Sequence, residues 1–372
     1  MRTGLPTRTR LLLCLGGVAA ALGISTLPAA AAQGDYHLIR TVPLAGDTGW
    51  DYITLDPDTR HLFITRGDHV MVLDADSARV VGDITGLKGV HGVALAGDHG
   101  YITDGGANQL IVFDRSTLKR TGTIPTDIGP DGILYDAASN RIFAFNGRDR
   151  SVTAIDAATG QVAGNLALGG KLEAAQTDGH GSIFVNIEDR SEIAEFDART
   201  LQLKRRWSLA PCEEPSGMAI DAVHGRIFSG CRNSILAVSD ALKGAVVTTV
   251  PIGMGVDSNR FDPSDGLIFS SNGQSANLTV IHEVDPDHYQ VLQNVPTASG
   301  ARTMELDPKT HDVYLVTADR AGGAGGPPAG PPPGPQTGSP PTGTRAGAAP
   351  PAGPPRRPAM VPGSFRLLIV GR

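Results

Sequence analysis

Seven segments of about 40 residues repeat along this chain, and few folds accommodate that. Each repeat opens on a short motif that usually begins with Gly. The motifs are Gly49-Trp-Asp-Tyr-Ile, Gly89-Val-His-Gly-Val, Gly129-Pro-Asp-Gly-Ile, Gly170-Lys-Leu-Glu-Ala, Glu214-Pro-Ser-Gly-Met, Gly255-Val-Asp-Ser-Asn and Gly300-Ala-Arg-Thr-Met. Successive spacings are 40, 40, 41, 44, 41 and 45 residues.

Each repeat carries the same internal order. A short apolar strand runs to a turn containing Asp, as at Asp56-Pro57, Asp136-Ala137, Asp221-Ala222, Asp262-Pro263 and Asp307-Pro308. A second strand follows: Leu62-Phe-Ile-Thr, Gly100-Tyr-Ile-Thr, Ile142-Phe-Ala-Phe, Ile183-Phe-Val-Asn, Ile227-Phe-Ser-Gly, Ile268-Phe-Ser-Ser and Val313-Tyr-Leu-Val. A third strand commonly ends on aspartate, at Asp74, Asp114, Asp156, Asp197 and Asp240. A fourth, more polar strand leads to the next repeat. Four short strands per repeat, with turn residues at fixed offsets, make one blade of a β-propeller. No sustained 3.6-residue period is present, which excludes a helical solenoid. The recurrent aspartates are read as turn formers that bond their own backbone. The fold expected is all-β: a seven-bladed β-propeller with four-stranded blades.

The seventh repeat has strands at 302–306, 312–316 and 365–370 but no fourth. An unassigned strand, Tyr36-His-Leu-Ile-Arg-Thr-Val42, precedes the first repeat. Closing the last blade with this N-terminal strand removes two exposed sheet edges.

The second-strand tetrads, with Asn146 and Asn186, resemble the Tyr-Val-Thr-Asn repeats of the YVTN/YncE-like propellers. The resemblance covers nearly all of the chain after the leader. It implies a seven-bladed propeller and a periplasmic location. Members of that group are sometimes labelled DNA-binding.

The N-terminus reads as a secretory signal over residues 1–32. Arg2, Arg8 and Arg10 precede an apolar run from Leu11 to Leu27, and Ala30-Ala31-Ala32 offers a cleavage site after Ala32. A periplasmic or secreted protein is expected, with no membrane span after cleavage. The chain carries 32 basic and 38 acidic residues; losing three Arg takes the net charge from −6 to −9. An acidic chain lacks the basic footprint that nucleic acid requires, so DNA binding is disfavoured. Two cysteines remain, Cys212 and Cys231, and a disulfide between them suits an oxidising compartment.

In a propeller the innermost strands line a central channel, and the loops leading into them share one face. That face should carry Trp50, Asp51, His91, Asp131, Glu173, Asp257 and Arg302, with Ser216 in the fifth place. The loops between second and third strands should add Arg66, Asp104, Asn146, Arg148, Asn186, Arg232 and Asn272. Four carboxylates, one His and one Arg make a polar funnel suited to a ligand or partner. No cofactor, catalytic set or metal set is expected: there is no Cys-x-x-Cys-His, no Gly-x-Ser-x-Gly and no phosphate loop. Residues 321–363 include 14 Pro and 11 Gly, a composition expected to stay disordered as an insertion in the last blade. The reading is a monomeric, exported scaffold that binds a small ligand or a periplasmic protein through the funnel. The alternatives are a lactonase- or hydrolase-type enzyme using the funnel as its active site, and single-stranded DNA binding.

Overall fold

The computed structural model describes residues 1, 4, 35–321 and 359–372. The chain divides between Gly34 and Asp35, and the strands among the described residues all lie in the unit Asp35–Arg372. The expected signal segment lies outside the described residues apart from Met1 and Gly4. No helix among the described residues is long and apolar enough to cross a membrane.

Among the described residues, twenty-eight strands form seven antiparallel four-stranded sheets. The innermost strands are Ile53–Leu55, Val90–Ala96, Pro130–Asp136, Leu172–Thr177, Pro215–Asp221, Val256–Asp262 and Met304–Leu306. Each touches the next around the ring, and the last touches the first.

Burial follows the order of strands within a blade. The second strands are buried on both faces, as in His61–Thr65 and Ser182–Ile187, because neighbouring sheets press on each side. The outermost strands alternate or are exposed, as in His288–Pro296. Among the described residues the apolar core divides into seven clusters, each bridging two adjacent blades. One joins Phe63, Val72 and Ile84 of the first blade to Ile102, Ile111 and Phe113 of the second. Another joins the first blade to the seventh through Ile64, Leu73, Tyr314 and Phe365.

The last blade closes as the sequence implied. Its order is Met304–Leu306, Val313–Thr317, Arg366–Gly371 and then the N-terminal His37–Pro43. His37 lies opposite Gly371 and Pro43 opposite Arg366, with a bulge between Leu38 and Arg40. Tyr36 is buried just before this strand, edge-on to Phe269 of the sixth blade with ring centroids 5.1 Å apart. Of the expected insertion 321–363, residues 321 and 359–363 are described. They tie back to the blade through an Arg320–Met360 bridge and bonds from Ala321 N to Ala359 O and Val361 N to Asp319 O.

The recurrent aspartates do form turns. Asp74 Oδ1 accepts from Ser77 N at 2.8 Å, and Asp114 Oδ1 accepts from Ser116 and Thr117. Those bonds hold the Asp114 carboxyl down at about 2. The residue four after each aspartate takes a left-handed backbone: Ala78, Leu118, Gly160, Leu201 and Gly244. Glycine meets that requirement at only two of the five, so the aspartate, not the glycine, is the constant signal.

Candidate functional site: the acidic channel mouth

The site residues begin where the inner strands are irregular. In blades two to six the pairing of the inner strand with its neighbour shifts register near its start. His91 falls between Val90 and Val93, Asp131 between Pro130 and Ile133, Glu173 between Leu172 and Ala175, and Asp257 between Val256 and Ser258. A bulge leaves backbone groups unpaired within its own sheet and re-aims a side chain. The freed carbonyls are taken up by the preceding blade. Thr65 Oγ1 donates to His91 O at 2.7 Å, and Thr103 Oγ1 donates to Asp131 O at 2.8 Å. Asn186 Nδ2 donates to Ser216 O at 3.2 Å, and Ser271 Oγ makes a like contact to Arg302 O, just ahead of the unbulged inner strand of the seventh blade. All four donors occupy the last position of a second-strand tetrad.

The mouth has two halves. On the side of blades one to three, His91 Nδ1 lies 2.8 Å from Asp51 Oδ2 and 3.6 Å from Asp131 Oδ1. Among the described residues no Lys or Arg lies within 4.0 Å of either carboxylate. On the other side the charges are paired. Lys171 Nζ is 2.8 Å from Glu173 Oε1 and also contacts Glu188. Arg302 Nη1 is 3.1 Å from Asp257 Oδ2, and Ser216 Oγ donates to Asp257 Oδ1 at 3.1 Å. Arg232 Nε is 2.7 Å from Glu214 Oε2. A cavity of about 250 Å³ opens between the halves, walled by Asp51, Asp131, Glu173, Glu188, Asp257 and Arg302 among others.

This concentration of carboxylates alters the local chemistry. Burial opposes protonation of His91, but the Asp51 bond and the charges of Asp131 and Asp51 outweigh it, so its pKa stands above the usual histidine value. Loss of water around Asp131 raises its carboxyl above the ordinary range against the pull of His91. Burial pushes Glu173 up to about 7 in spite of Lys171. The Tyr52 phenol is raised well above its usual value by burial and then by Asp131 and Asp51.

Below the mouth lies a second cavity of about 340 Å³, lined by apolar residues such as Ile53, Val93, Ile133, Leu134, Ala174 and Met218 together with several polar ones. In its wall Arg260 pairs with Glu305 of the next blade, with Nε to Oε1 at 2.7 Å and Nη2 to Oε2 at 3.2 Å. Tyr52 and Asp257 border both cavities.

Six of the seven expected residues therefore converge: Asp51, His91, Asp131, Glu173, Asp257 and Arg302. Trp50 stands aside. Its ring packs on Phe365 at 5.6 Å under the Arg320 guanidinium, and it lines an adjoining cavity of about 510 Å³ that shares Arg232, Asp257 and Arg302 with the mouth. The second-to-third loops contribute less than expected. Arg66 is fully buried, donating to the carbonyls of Ala45, Gly46, Thr48 and Gly49 and stacking on Phe365. Asp104, Asn146, Asn186 and Asn272 are buried and satisfy neighbouring groups. Of the loop residues expected there, Arg232 lines the mouth cavity, and Arg148 lies near enough to His91 for its charge to oppose protonation of the imidazole. Lys171, Glu188 and Glu214 were not singled out from sequence. Glu188 follows the second strand of its blade just as Arg232 follows that of the next, and Lys171 and Glu214 lie in the repeat-opening motifs, so position was the available signal.

The disulfide between Cys212 and Cys231 is formed, with Cα atoms 5.5 Å apart. The basic run Lys204-Arg205-Arg206 lies in an outermost strand and is spent on local acids. Arg205 and Lys204 face Glu195 at 2.5 and 3.8 Å, and Arg206 faces Glu192 at 2.6 Å. Two further carboxylate–histidine groups, Asp221–His224–Glu283 and Asp262–Asp265–His311, lie at turns on the far end of the inner strands.

Solved structures share this architecture. A chain of a mitotic checkpoint complex superposes with a TM-score of 0.67 at 13% identity, over 83% of this chain and 96% of that one. U3-55K gives 0.64 at 10% identity, over 76% and 90%. The WD40 repeats of RRP9 give 0.65 at 11% identity, over 76% and 89%. At such identities the likeness concerns the fold alone. No family model matches the sequence, and no curated protein matches it.

Proposed function

We propose that this chain is an exported, monomeric propeller scaffold that captures a positively charged group, on a partner protein or a small ligand, at its acidic channel mouth. One observation carries the reading. Asp51 and Asp131 converge on His91 beside an open cavity, with no Lys or Arg among the described residues within 4.0 Å of either carboxylate. Converging carboxylates in a concave, partly desolvated site raise the local concentration of cations and steer them inward. The other half of the mouth is close to self-neutralised and would contribute shape and hydrogen bonds. The similarity to a chain that belongs to a mitotic checkpoint complex is in keeping with a scaffold role, by analogy of fold.

A second reading, hydrolysis of the lactonase class, draws on Glu173. A carboxyl raised to about 7 at a cavity wall is suited to general acid or base work.

The test is capture from periplasmic extract on the immobilised mature protein, at low and high salt, with mass spectrometry of what is retained. A species with an exposed cationic group, released by salt, is the expected result. Turnover of a lactone panel without any retained species would replace the scaffold reading with the enzymatic one.

A further inference from the structure

We propose that Asp51, His91 and Asp131 together bind one divalent transition-metal ion of the Zn2+ type at the channel mouth. The inference rests on the reading that the mouth attracts positive charge, and it names one such charge.

The donor atoms are already gathered. They come from three consecutive blades, and all lie within 4.8 Å of one another. Bonds of 2.0–2.2 Å to a tetrahedral ion place ligand atoms about 3.3–3.6 Å apart. The His91–Asp131 separation of 3.6 Å falls at the upper end of that range, and the His91–Asp51 separation of 2.8 Å is shorter and would open slightly on binding. The same imidazole nitrogen, Nδ1, faces both carboxylates. A proton there can be donated to one carboxylate, and Asp51 is the one within hydrogen-bond distance. An ion in the proton's place would serve all three groups at once.

The surroundings suit an ion-binding role. The backbones of two donors are fixed at their carbonyls by the preceding blade, through Thr65 for His91 and Thr103 for Asp131. Tyr52 N also donates to His91 O, at 3.2 Å. A pre-positioned donor set loses little entropy on binding. The cavity of about 250 Å³ bordered by Asp51 and Asp131 leaves room for water or a ligand at further coordination positions.

Competing demands separate this group from its neighbours. Glu173, Glu188, Glu214 and Asp257 already face Lys171, Arg232 or Arg302. At the far end of the inner strands, Asp221 accepts from Val223 N and His224 N, Asp262 accepts from Ser264, and Asp265 pairs with Arg372. Those carboxylates hold turns and chain ends in place. One imidazole with two carboxylates favours a borderline first-row ion over Mg2+ or Ca2+, which prefer an all-oxygen set.

The experiment is calorimetric titration of Zn2+ into chelator-treated mature protein. It is run beside Asp51→Asn, His91→Gln and Asp131→Asn, with His224→Gln as a control and melting curves in chelator to establish folding. One equivalent of Zn2+ is expected, weakened tenfold or more by each of the three substitutions and unchanged by the control. Co2+ in place of Zn2+ should give a visible ligand-field spectrum that the His91→Gln variant loses. Absence of stoichiometric binding, or undiminished binding in folded His91→Gln protein, overturns the site. If Zn2+ fails to bind while Asp51→Asn with Asp131→Asn still abolishes partner capture, the metal alone is wrong. If neither binding nor capture depends on these residues, the reading of the mouth falls with it.

Discussion

The hydroxyl of Thr65 donates to the backbone carbonyl of His91 across a blade boundary, at 2.7 Å. Thr103 makes the same bond to Asp131 at 2.8 Å. The last residue of a second-strand tetrad is therefore a structural part that positions a residue of the next blade's mouth. Replacing Thr65 with Val keeps the volume and removes the donor. His91 O retains the Tyr52 N bond, so the expected cost is about 1 kcal/mol, with Thr65→Ser near the parent. Thermal unfolding of the three proteins checks this, and a valine variant as stable as the parent would contradict it.

Much of the site was legible because the repeats are. Once Gly49, Gly89 and Gly129 were recognised as equivalent positions, Asp51, His91 and Asp131 had to share a face. The Asp-containing turns were legible for the same reason. The tetrad ending in Thr, Asn or Ser was visible, but its bond partner lies in the next blade, 26 residues on for Thr65. Arg66 could not be placed from sequence. The side chain turns inward onto Phe365, which is remote in sequence and brought near only when the ring closes. Trp50 was drawn off the mouth by the same Phe365. Lys171 and Glu188 were hidden because nothing in a one-dimensional pattern shows which charged loop residues meet.

Arg66 offers a second test. Its guanidinium is fully buried and bonds four carbonyls of the segment joining the N-terminal strand to the first blade. Burial lowers its pKa to about 10. Arg66→Met would leave those carbonyls without their donor, at an expected cost of about 3 kcal/mol or more. Arg66→Lys should recover part of it, since an ammonium offers three donors against five. Denaturant midpoints measure both, and a methionine variant within 1 kcal/mol of the parent would show that water replaces the guanidinium.

Ring closure by His37–Pro43 is a third. A chain beginning at Thr48 lacks this strand and the buried Tyr36, leaving Arg366–Gly371 as an open edge. Unpaired edges recruit other chains. Aggregation or a large fall in melting temperature is expected, as read by light scattering and calorimetry. A monomer with unchanged melting temperature would contradict closure as a source of stability.

Glu283 supplies a pH dependence. It is buried, accepts from Tyr289 OH at 2.9 Å, and is pushed up to about 7, chiefly by burial. Its folded pKa lies above its unfolded value of about 4.3. Its contribution is therefore fully present below about pH 4.3 and is lost as the pH rises through about 7. Glu283→Gln should remove that slope and be the more stable protein at pH 8, by at most roughly 4 kcal/mol. Unfolding free energies between pH 5 and 8 decide it, and parallel pH profiles for the two proteins would contradict the assignment.

The most direct test of the account is the double change Asp51→Asn with Asp131→Asn. It preserves shape, touches no apolar core, and removes the two carboxylates that face His91. The melting temperature should stay close to the parent's, because the relief of repulsion between the carboxylates offsets the loss of the partly exposed His91 pairs. Recovery of the ligand or partner from extract should fall sharply in the same preparation. Recovery equal to the parent's, from a protein equally well folded, would show that the mouth is only a solvated opening and that binding lies elsewhere on the propeller.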